Sequence, residues 1–537
     1  MASDRFVTLV QKKVEELFPA LTGLPTLVGR LCIDSRQVAS GDIFVALNGT
    51  SHRGLDFIPQ AIAEGAGLVL LESDQDEMYR IDQVPVVALN HLRHRLGEWL
   101  GEAGELNENA LHLIGITGTN GKTSVSHYLA RMLEGLQQKA AVIGTVGIGA
   151  LDNLQTATHT TPDLVQLHKV MSELKQQGFC YQAMEVSSHA LDQQRTAGVP
   201  FEIGVFTNLS RDHLDYHGTM AAYGEAKSHL FTQYPIRYAV INADDEYSAE
   251  LEQHIAQSQS QSQSQSQSRP RIYRYSLTDS KADLYCAACS ANSRGFALTL
   301  DGHWGRFDLQ LPLLGRFNVA NALASAVTLL ALGFDAQDVM AQLEAVQPVA
   351  GRMQLVQPGS QPNTQQSSEN IEMAKPEKPQ VVVDYAHTPD ALENALLAVK
   401  EHIQGRLWCV FGSGGDRDAG KRPLMAEVAS RLADEVVVTS DNPRSEDPTH
   451  ILAQVEQGLL KPATFSQVDR AEAIRRAINS ASPEDVVLIA GKGHETYQEV
   501  KGIRHHFDDV EQAVLALEGY SFSGALSNAQ HRGATES

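Results

Sequence analysis

Residues 111–136, LHLIGITGTNGKTSVSHYLARMLEGL, decide the fold. LHLIGIT reads as a buried strand, GTNG as a glycine-rich turn, and the remainder as an amphipathic helix. A strand that feeds a helix through such a turn opens a βαβ unit, and hence a parallel sheet. The apolar runs AAVIG (140–144), QAMEV (182–186), IGVFTNL (203–209) and YAVINAD (238–244) follow at spacings that suit helical crossovers. Upstream, GDIFVAL (41–47), AGLVLLE (66–72) and PVVAL (85–89) predict strands of a smaller α/β domain, preceded by a helix in the first 18 residues. From residue 380 the rhythm resumes with QVVVDYA, RLWCVFG, EVVVTSD and DVVLIAGKG. Several of these strands end in polar or glycine-rich turns, the edge at which open α/β sheets bind ligands.

The turn itself carries chemistry. Glycines let backbone N–H groups approach phosphate oxygens, and the helix that follows presents its positive end. Gly118, Thr119, Asn120, Gly121, Lys122, Thr123 and Ser124 are the candidate cradle. Lys122 would reach the β/γ-phosphates and the Thr123 hydroxyl a Mg²⁺ ion. The spacing departs from the usual P-loop, which would place its first glycine at Ile116. The glycines fall instead at Gly115 and Gly118. An ordinary turn is the alternative reading; the strand-before-helix context favours phosphate.

The chain has 537 residues, enough for about three domains. With 42% hydrophobic and 20% charged residues it is a globular protein rather than a disordered one. Lys and Arg total 43 against 65 for Asp and Glu, a net charge of -22 that disfavours nucleic acid or an anionic membrane as partner. Five cysteines (Cys32, Cys180, Cys286, Cys289 and Cys409) imply no disulfide framework and a reducing compartment. Cys286 and Cys289 form a lone CxxC without a second ligand pair. No signal peptide or apolar run of membrane-spanning length is visible, so the expected location is the cytoplasm. Six Gln-Ser dipeptides at 257–268 and the polar stretch 358–379 read as flexible surface loops, and the tail after about residue 520 as frayed.

Further motifs occur in a fixed order: DSR (34–36), GTNGKT (118–123), TTP (160–162), EVSSHAL (185–191), NLSRDHLDYHG (208–218), GRFNVANALA (315–324), GRM (351–353), DYAHTPD (384–390), GDRDAGKRP (415–423), DNPR (441–444) and GKGHE (491–495). In this set, over nearly its whole length, the chain resembles the Mur ligases of peptidoglycan synthesis. The resemblance implies three α/β domains: a uridine-nucleotide domain (1–105), a central P-loop ATPase domain with a mostly parallel sheet (106–349) and a C-terminal Rossmann-like domain (350–537). It implies an ATP-dependent, Mg²⁺-assisted amide ligase, working as a monomer through an acyl phosphate.

The resemblance also assigns residues. Lys122, Glu185, His213 and Lys227 match the catalytic set. Thr123 and Glu185 would hold one Mg²⁺; His213 and Lys227, the latter as a carbamate, would serve a second. On sequence alone Lys227 reads as a solvated helix lysine. Asn318 matches a contact to adenine, Arg352 to the γ-phosphate and Asp384 to the ribose, while His387 orders its loop. Ile33, Ser35, Thr50, Ser51 and His52 match contacts to the uridine diphosphate. His159, Thr160, Thr161, Ser187, Gln193 and Arg195 match contacts to the sugar and peptide of UDP-MurNAc-L-Ala-D-Glu. Asp34-Ser35-Arg36 alone reads as a turn with a surface ion pair.

DNPR is the form typical of members that add meso-diaminopimelate. The second carboxylate of that amino acid can pair with Arg444 in a bidentate fork, and lysine has none to offer. Asp441 and Asn442 would receive the distal ammonium; Arg417, Pro443, Gly491 and Glu495 complete the set. The competing readings are a lysine-adding relative, a folylpolyglutamate synthase, or a regulatory P-loop NTPase. The DSR-bearing domain opposes the folate enzyme, and DNPR with GKGHE opposes the other two.

Overall fold

The computed structural model describes residues 4–21, 27–49, 52–107, 111–157, 159–261, 269–292, 295–356 and 377–520. The chain divides into two compact units, Met1–Tyr285 with Leu323–Val339, and Cys286–Ala322 with Met340–Ser537.

The first unit opens with the helix Arg5–Leu17 and a five-stranded sheet. Parallel strands Leu31–Cys32, Ile43–Ala46, Leu68–Ser73 and Val84–Asn90 lie in that order, and Glu77–Ile81 runs antiparallel on the far edge. Strand side chains alternate between faces. Ile43, Val45, Leu68, Leu70, Val87 and Leu89 pack in one cluster with Phe6, Val10, Leu92, Leu96 and Leu100 of two helices. Phe44, Val69, Val86 and Ala88 pack on the other side with Ile58 and Ala61. Both faces are thus covered, as a parallel sheet requires.

The larger sheet of this unit is centred on His112–Thr117. Tyr181–Glu185 and Ile203–Phe206 flank it in parallel, with Glu185 opposite Ile116 and Phe206 opposite Thr117. Ala140–Ile143 extends the sheet on one side; Tyr238–Asn242 and Arg271–Ser276 extend it on the other. The chain therefore leaves the central strand to one side and returns on the other. The loop after Thr117 stands at that switch point, where strand ends splay apart and leave a crevice.

The second unit holds a six-stranded sheet in the order Gln354–Val356, Gln380–Asp384, Val486–Ala490, Leu407–Phe411, Glu435–Thr439, Phe465–Gln467. All but the first pair run parallel. Val436 and Val438 face the helices Pro389–Lys400, Lys421–Leu432 and Pro448–Glu456; Val437 faces Arg470–Ser480 and Asp509–Glu518. Each such buried branched side chain contributes about 1.5–3 kcal/mol, which is why uninterrupted valine runs mark these strands.

The mostly parallel sheet expected for the middle of the chain is found; the short antiparallel strands Ile148–Ala150 and Asn153–Gln155 extend it, and Gly295–Gly302 pairs antiparallel with Phe307–Leu311. One expectation changes. The Gln-Ser tract is not loop from its start: the helix Ser248–Gln261 runs into it, because glutamine and serine let an established helix propagate. The rest of that tract, most of 358–379 and the tail after 520 lie outside the described residues.

Candidate active site

The phosphate loop joins the strand His112–Thr117 to the helix Lys122–Gly135. Gly118 has φ +148°, and a Cβ there would strike the Thr207 hydroxyl. Glycine is the residue this close approach permits. The loop is tied to the segment after the neighbouring strand. Thr119 N donates to Asn208 O at 2.8 Å, Asn120 N to Asn208 Oδ1 at 2.9 Å, and the Thr207 hydroxyl to Asn120 O at 2.6 Å. Lys122 folds back, its Nζ donating to the carbonyls of Gly118 (2.7 Å) and Thr119 (2.8 Å). Gly121 is the helix N-cap and offers no side chain to the first-turn amides, which suits an anion.

Glu185 ends the strand beside this loop and is 1% exposed. Its carboxylate accepts from the Thr123 hydroxyl at 3.0 Å, from Thr145 N at 2.8 Å and from the Thr145 hydroxyl at 3.1 Å. A Cβ on Gly144 would occupy the space of that carboxylate. Thr123 and Glu185 together offer hard oxygen donors and no sulfur, a set that fits Mg²⁺. Among the described residues no group of three or more His, Cys, Asp or Glu could hold a metal ion.

His213 caps the short helix Leu214–His217 with φ +52°, and its ring meets His189 edge-on at 4.9 Å between centroids. Burial, reinforced by His213 and His217, pushes His189 down to about 4. Lys227, on the helix Met220–Thr232, is 1% exposed, which overturns its reading as a solvated lysine. Burial and then the charge of Lys122 lower its pKa well below the ordinary lysine value, against the pull of Asp212. Its Nζ lies 4.3 Å from the Tyr223 ring centroid. The shift favours the uncharged amine, which is the form that can take up CO₂.

Of the other candidates in this unit, Ser35 is buried and donates to Gln60 Oε1 at 2.9 Å. Ile33 is half-buried and His52 exposed against Phe57. Asp34 does pair with Arg36, which holds its carboxyl at about 2. Thr50 and Ser51 lie outside the described residues, and His159 is exposed. Thr160 meets Thr145 through their hydroxyls at 3.0 Å. The Thr161 hydroxyl donates to Glu185 O at 2.8 Å and accepts from Ser187 N at 3.2 Å. Arg195 donates to Gln193 Oε1 through Nε (2.9 Å) and Nη2 (2.6 Å). Thr123, Thr160, Thr161, Glu185 and Ser187 thus form one hydrogen-bonded group.

In the second unit, Asp384 ends its strand and accepts from Met353 N at 2.7 Å. Burial raises its pKa, opposed by the nearby Arg352. The Arg352 guanidinium lies 4.6 Å from the Tyr385 ring centroid, and its buried Nε has no hydrogen-bond partner. Asn318 is buried near the start of the helix Arg316–Ala331 and donates to Leu314 O at 2.9 Å.

A cavity of about 310 Å³ opens at the carboxyl ends of this unit's strands. Arg417, Asp441, Asn442, Arg444, Gly491 and Glu495 line it, as does His387, whose Nδ1 meets its own loop at Tyr385 O (2.9 Å). Pro443 instead packs its carbonyl against Gly415. Arg444 has φ +51°; its N donates to Glu499 O at 3.0 Å and its O accepts from Lys501 N at 2.6 Å. The strands Tyr497–Val500 and Ile503–His506 thereby hold a conformation that L-residues rarely adopt. Arg417, Lys421 and Arg444 all face the cavity, and among the described residues no carboxylate lies within 4.0 Å of their charged nitrogens. Beneath the cavity Lys492 is fully buried, with Nζ 3.2 Å from both Asn442 Oδ1 and Glu495 Oε2 and 3.8 Å from Asp441 Oδ1. Asp441 Oδ1 is buried without a hydrogen-bond partner.

Three family matches follow one another along the chain: Mur ligase family, catalytic domain, over residues 28–103; Mur ligase middle domain over 116–329; and Mur ligase, glutamate ligase domain over 370–493. A curated relative from Ectopseudomonas mendocina, UDP-N-acetylmuramoyl-L-alanyl-D-glutamate–2,6-diaminopimelate ligase, is 44% identical over 95% of this chain and 99% of its own. The chain belongs to the Mur ligase family. Mur ligases are ATP-dependent enzymes that form peptide bonds. The ligase of the same name from Pseudomonas aeruginosa is also 44% identical, over 94% of this chain and 98% of its own. A solved structure bearing that name superposes with a TM-score of 0.67 at 38% identity, covering 94% of this chain and 98% of that one. The three-domain α/β architecture is therefore that of a Mur ligase. No helix among the described residues is long and apolar enough to cross a membrane.

Sequence reasoning missed several residues that shape this Mur ligase. Asn208 and Thr207 hold the phosphate loop, Thr145 holds Glu185, Lys421 lines the cavity and Lys492 lies beneath it. NLSRD and GKGHE were visible as motifs; which of their members point inward was not.

Proposed function

We propose that this Mur ligase joins meso-diaminopimelate to the D-Glu carboxylate of UDP-MurNAc-L-Ala-D-Glu with consumption of ATP. The observation that carries this reading is the cavity at the end of the second unit's sheet. It sets cations without carboxylate partners around Asp441, whose Oδ1 has no hydrogen-bond donor. An amino acid with two zwitterionic heads answers both kinds of group. Arg444 pairs with the distal carboxylate, and Asp441, Asn442 and Glu495 take the distal ammonium. The names of the curated relatives agree with that substrate pair.

The triphosphate of ATP lies on residues Gly118–Thr123, with Lys122 turned from its loop carbonyls towards the β/γ-phosphates. Asn318, Arg352 and Asp384 serve adenine, γ-phosphate and ribose. Bound Mg²⁺ neutralises charge between phosphates and carboxylate; Thr123 and Glu185 would hold one ion, and His213 with Lys227 as carbamate a second. The D-Glu carboxylate takes the γ-phosphoryl group, and ADP leaves. The uncharged amine of diaminopimelate attacks the resulting acyl phosphate, inorganic phosphate departs, and the amine proton goes to solvent. Domain limits at 1–105, 106–349 and 350–537, and action as a monomer, belong to the same proposal.

Phosphate release in the presence of ATP, Mg²⁺ and UDP-MurNAc-L-Ala-D-Glu tests it. Release with meso-diaminopimelate but not L-lysine is expected. Release with lysine alone would keep the ligase and refute the Arg444 argument. No release with either would refute the reaction.

A further inference from the structure

Arg93 is the second residue of the helix Leu92–Ala103, and its side chain is 16% exposed. Its guanidinium forks onto Glu72, with Nε 2.8 Å from Oε1 and Nη2 3.1 Å from Oε2. Nη2 also donates to Asn48 O, and Nη1 donates to Gln193 O at 2.8 Å. Glu72 Oε2 in turn accepts from Asn48 N at 2.7 Å. Asn48 is thus gripped at both backbone groups. It anchors the described residues on either side of positions 50 and 51: its Oδ1 accepts from Gly54 N at 3.1 Å, and Gly49 N donates to His52 O at 2.9 Å. At the other end, Gln193 carries a side chain that binds Arg195 and Tyr216. Arg195 continues to Thr161 O at 3.4 Å, and Thr161 to Glu185.

We propose that Arg93 is a positioning residue that sets the spacing between the two halves of the nucleotide-sugar site, the His52 loop and the Gln193–Arg195 turn. The claim rests on the proposed reading of these segments as contacts to UDP-MurNAc-L-Ala-D-Glu. Three acceptors in different directions need a planar fork, and a lysine ammonium on a flexible stem cannot hold all three in place. The helix does not depend on Arg93 for its seat. Leu92, Leu96 and Leu100 bury it in the core, and Gly97 lets its backbone meet that of Ala197 and Gly198 directly. Removing the guanidinium therefore loosens a spacing and leaves the core intact.

Arg93→Lys and Arg93→Met test this in the full chain, by steady-state kinetics and by calorimetric binding of UDP-MurNAc-L-Ala-D-Glu. Loss of binding shared by ground and transition states raises KM and spares kcat. The expected result is a rise in KM for the nucleotide-sugar, and a matching loss of affinity, of about tenfold, with kcat and the KM for ATP within about twofold of wild type. The urea midpoint should stay near the wild-type value. An unchanged KM for the nucleotide-sugar overturns the assignment. An equal rise in the KM for ATP, or a fall in the urea midpoint that accounts for the loss, makes Arg93 a general brace and also overturns it. Glu72→Gln, which keeps the acceptor for Asn48 N but removes the charge, should move the same KM in the same direction by less. Wild-type protein that binds no UDP-MurNAc-L-Ala-D-Glu would refute the substrate reading itself, an outcome distinct from failure of the Arg93 variants alone.

Discussion

The phosphate loop and the cavity of the second unit differ in how they treat their carboxylates. Around the loop, Lys122 binds its own loop carbonyls and Glu185 takes three hydrogen bonds, while the first-turn amides of the helix are left without a side-chain cap. In the cavity, Lys421 and Arg444 also donate to carbonyls, of His387 (2.9 Å) and Gly415 (2.7 Å), but with Arg417 they face no carboxylate within ion-pair distance, and Asp441 Oδ1 has Lys492 at 3.8 Å and no hydrogen-bond donor. On the proposed reading, ATP enters the first site by exchanging for the bonds of Lys122, and a zwitterion completes the second. A network closed within the protein costs little to keep folded and gives up part of its binding energy to rearrangement. An open one carries unmet charge until the ligand arrives, and so it discriminates strongly against ligands that leave a group unpaired.

The largest test is Lys122→Ala. It should lower kcat by about a thousandfold or more, since the charge that turns towards the transferred phosphoryl group is lost. The folded state should survive, because the loop is also held by Asn208 and Thr207; a circular dichroism melt checks that. An active Lys122→Ala protein would break the assignment of the first site. Next, Arg444→Lys should raise the KM for diaminopimelate by about thirtyfold or more while leaving that for ATP unchanged, because an ammonium cannot reproduce the planar fork. Equal changes in both constants would erase the difference between the two regions. Lys492→Met sharpens it. Removing the buried cation takes one donor from Asn442 Oδ1, which keeps that of Glu499 N, and leaves Asp441 and Glu495 without their cation, so the KM for diaminopimelate should rise by about tenfold. Isotope-exchange assays of the half-reaction with ATP and the nucleotide-sugar, run without diaminopimelate, should not change.

The smallest effect is one that the two units share. Burial pushes His168 in the first unit and His494 in the second to about 4, with Arg352 adding to the shift at His494. An imidazole whose folded pKa lies below the unfolded value near 6.5 takes up a proton on unfolding. Stability is then intact above about pH 6.5 and declines as pH falls towards 4. Urea midpoints at pH 7 and pH 5 should show the decline, and His494→Gln should flatten its share. An unchanged slope in that variant would place the acid sensitivity elsewhere.

What could be read in advance follows from where the information sits. The parallel strands were legible because runs such as QVVVDYA and EVVVTSD bury both faces. The edge strand Glu77–Ile81, half-exposed along its length, carries no such run. The phosphate loop was legible because its residues are contiguous. Lys492, Asn208 and Arg93 were not, because each acts on a partner 50, 88 or 100 residues away. The left-handed backbone of Arg444 was likewise hidden, since it is imposed by Glu499 and Lys501 rather than by its own neighbours. Lys227 read as solvated because its helix has little amphipathic contrast to mark a buried face.

The interleaving of the two units bears on how the chain is made. The first unit takes Leu323–Val339 from beyond a stretch that belongs to the second. Leu323, Ala326, Val327 and Leu329 are fully buried, and the Ser325 hydroxyl donates to Val125 O at 3.5 Å in the helix behind the phosphate loop. A ribosome that has delivered only the first 285 residues has therefore not yet supplied the hydrophobic layer that closes this unit. Until that later helix emerges, the nascent phosphate loop lacks its backing, and the protein acquires its first working site only after part of the second unit has been synthesised.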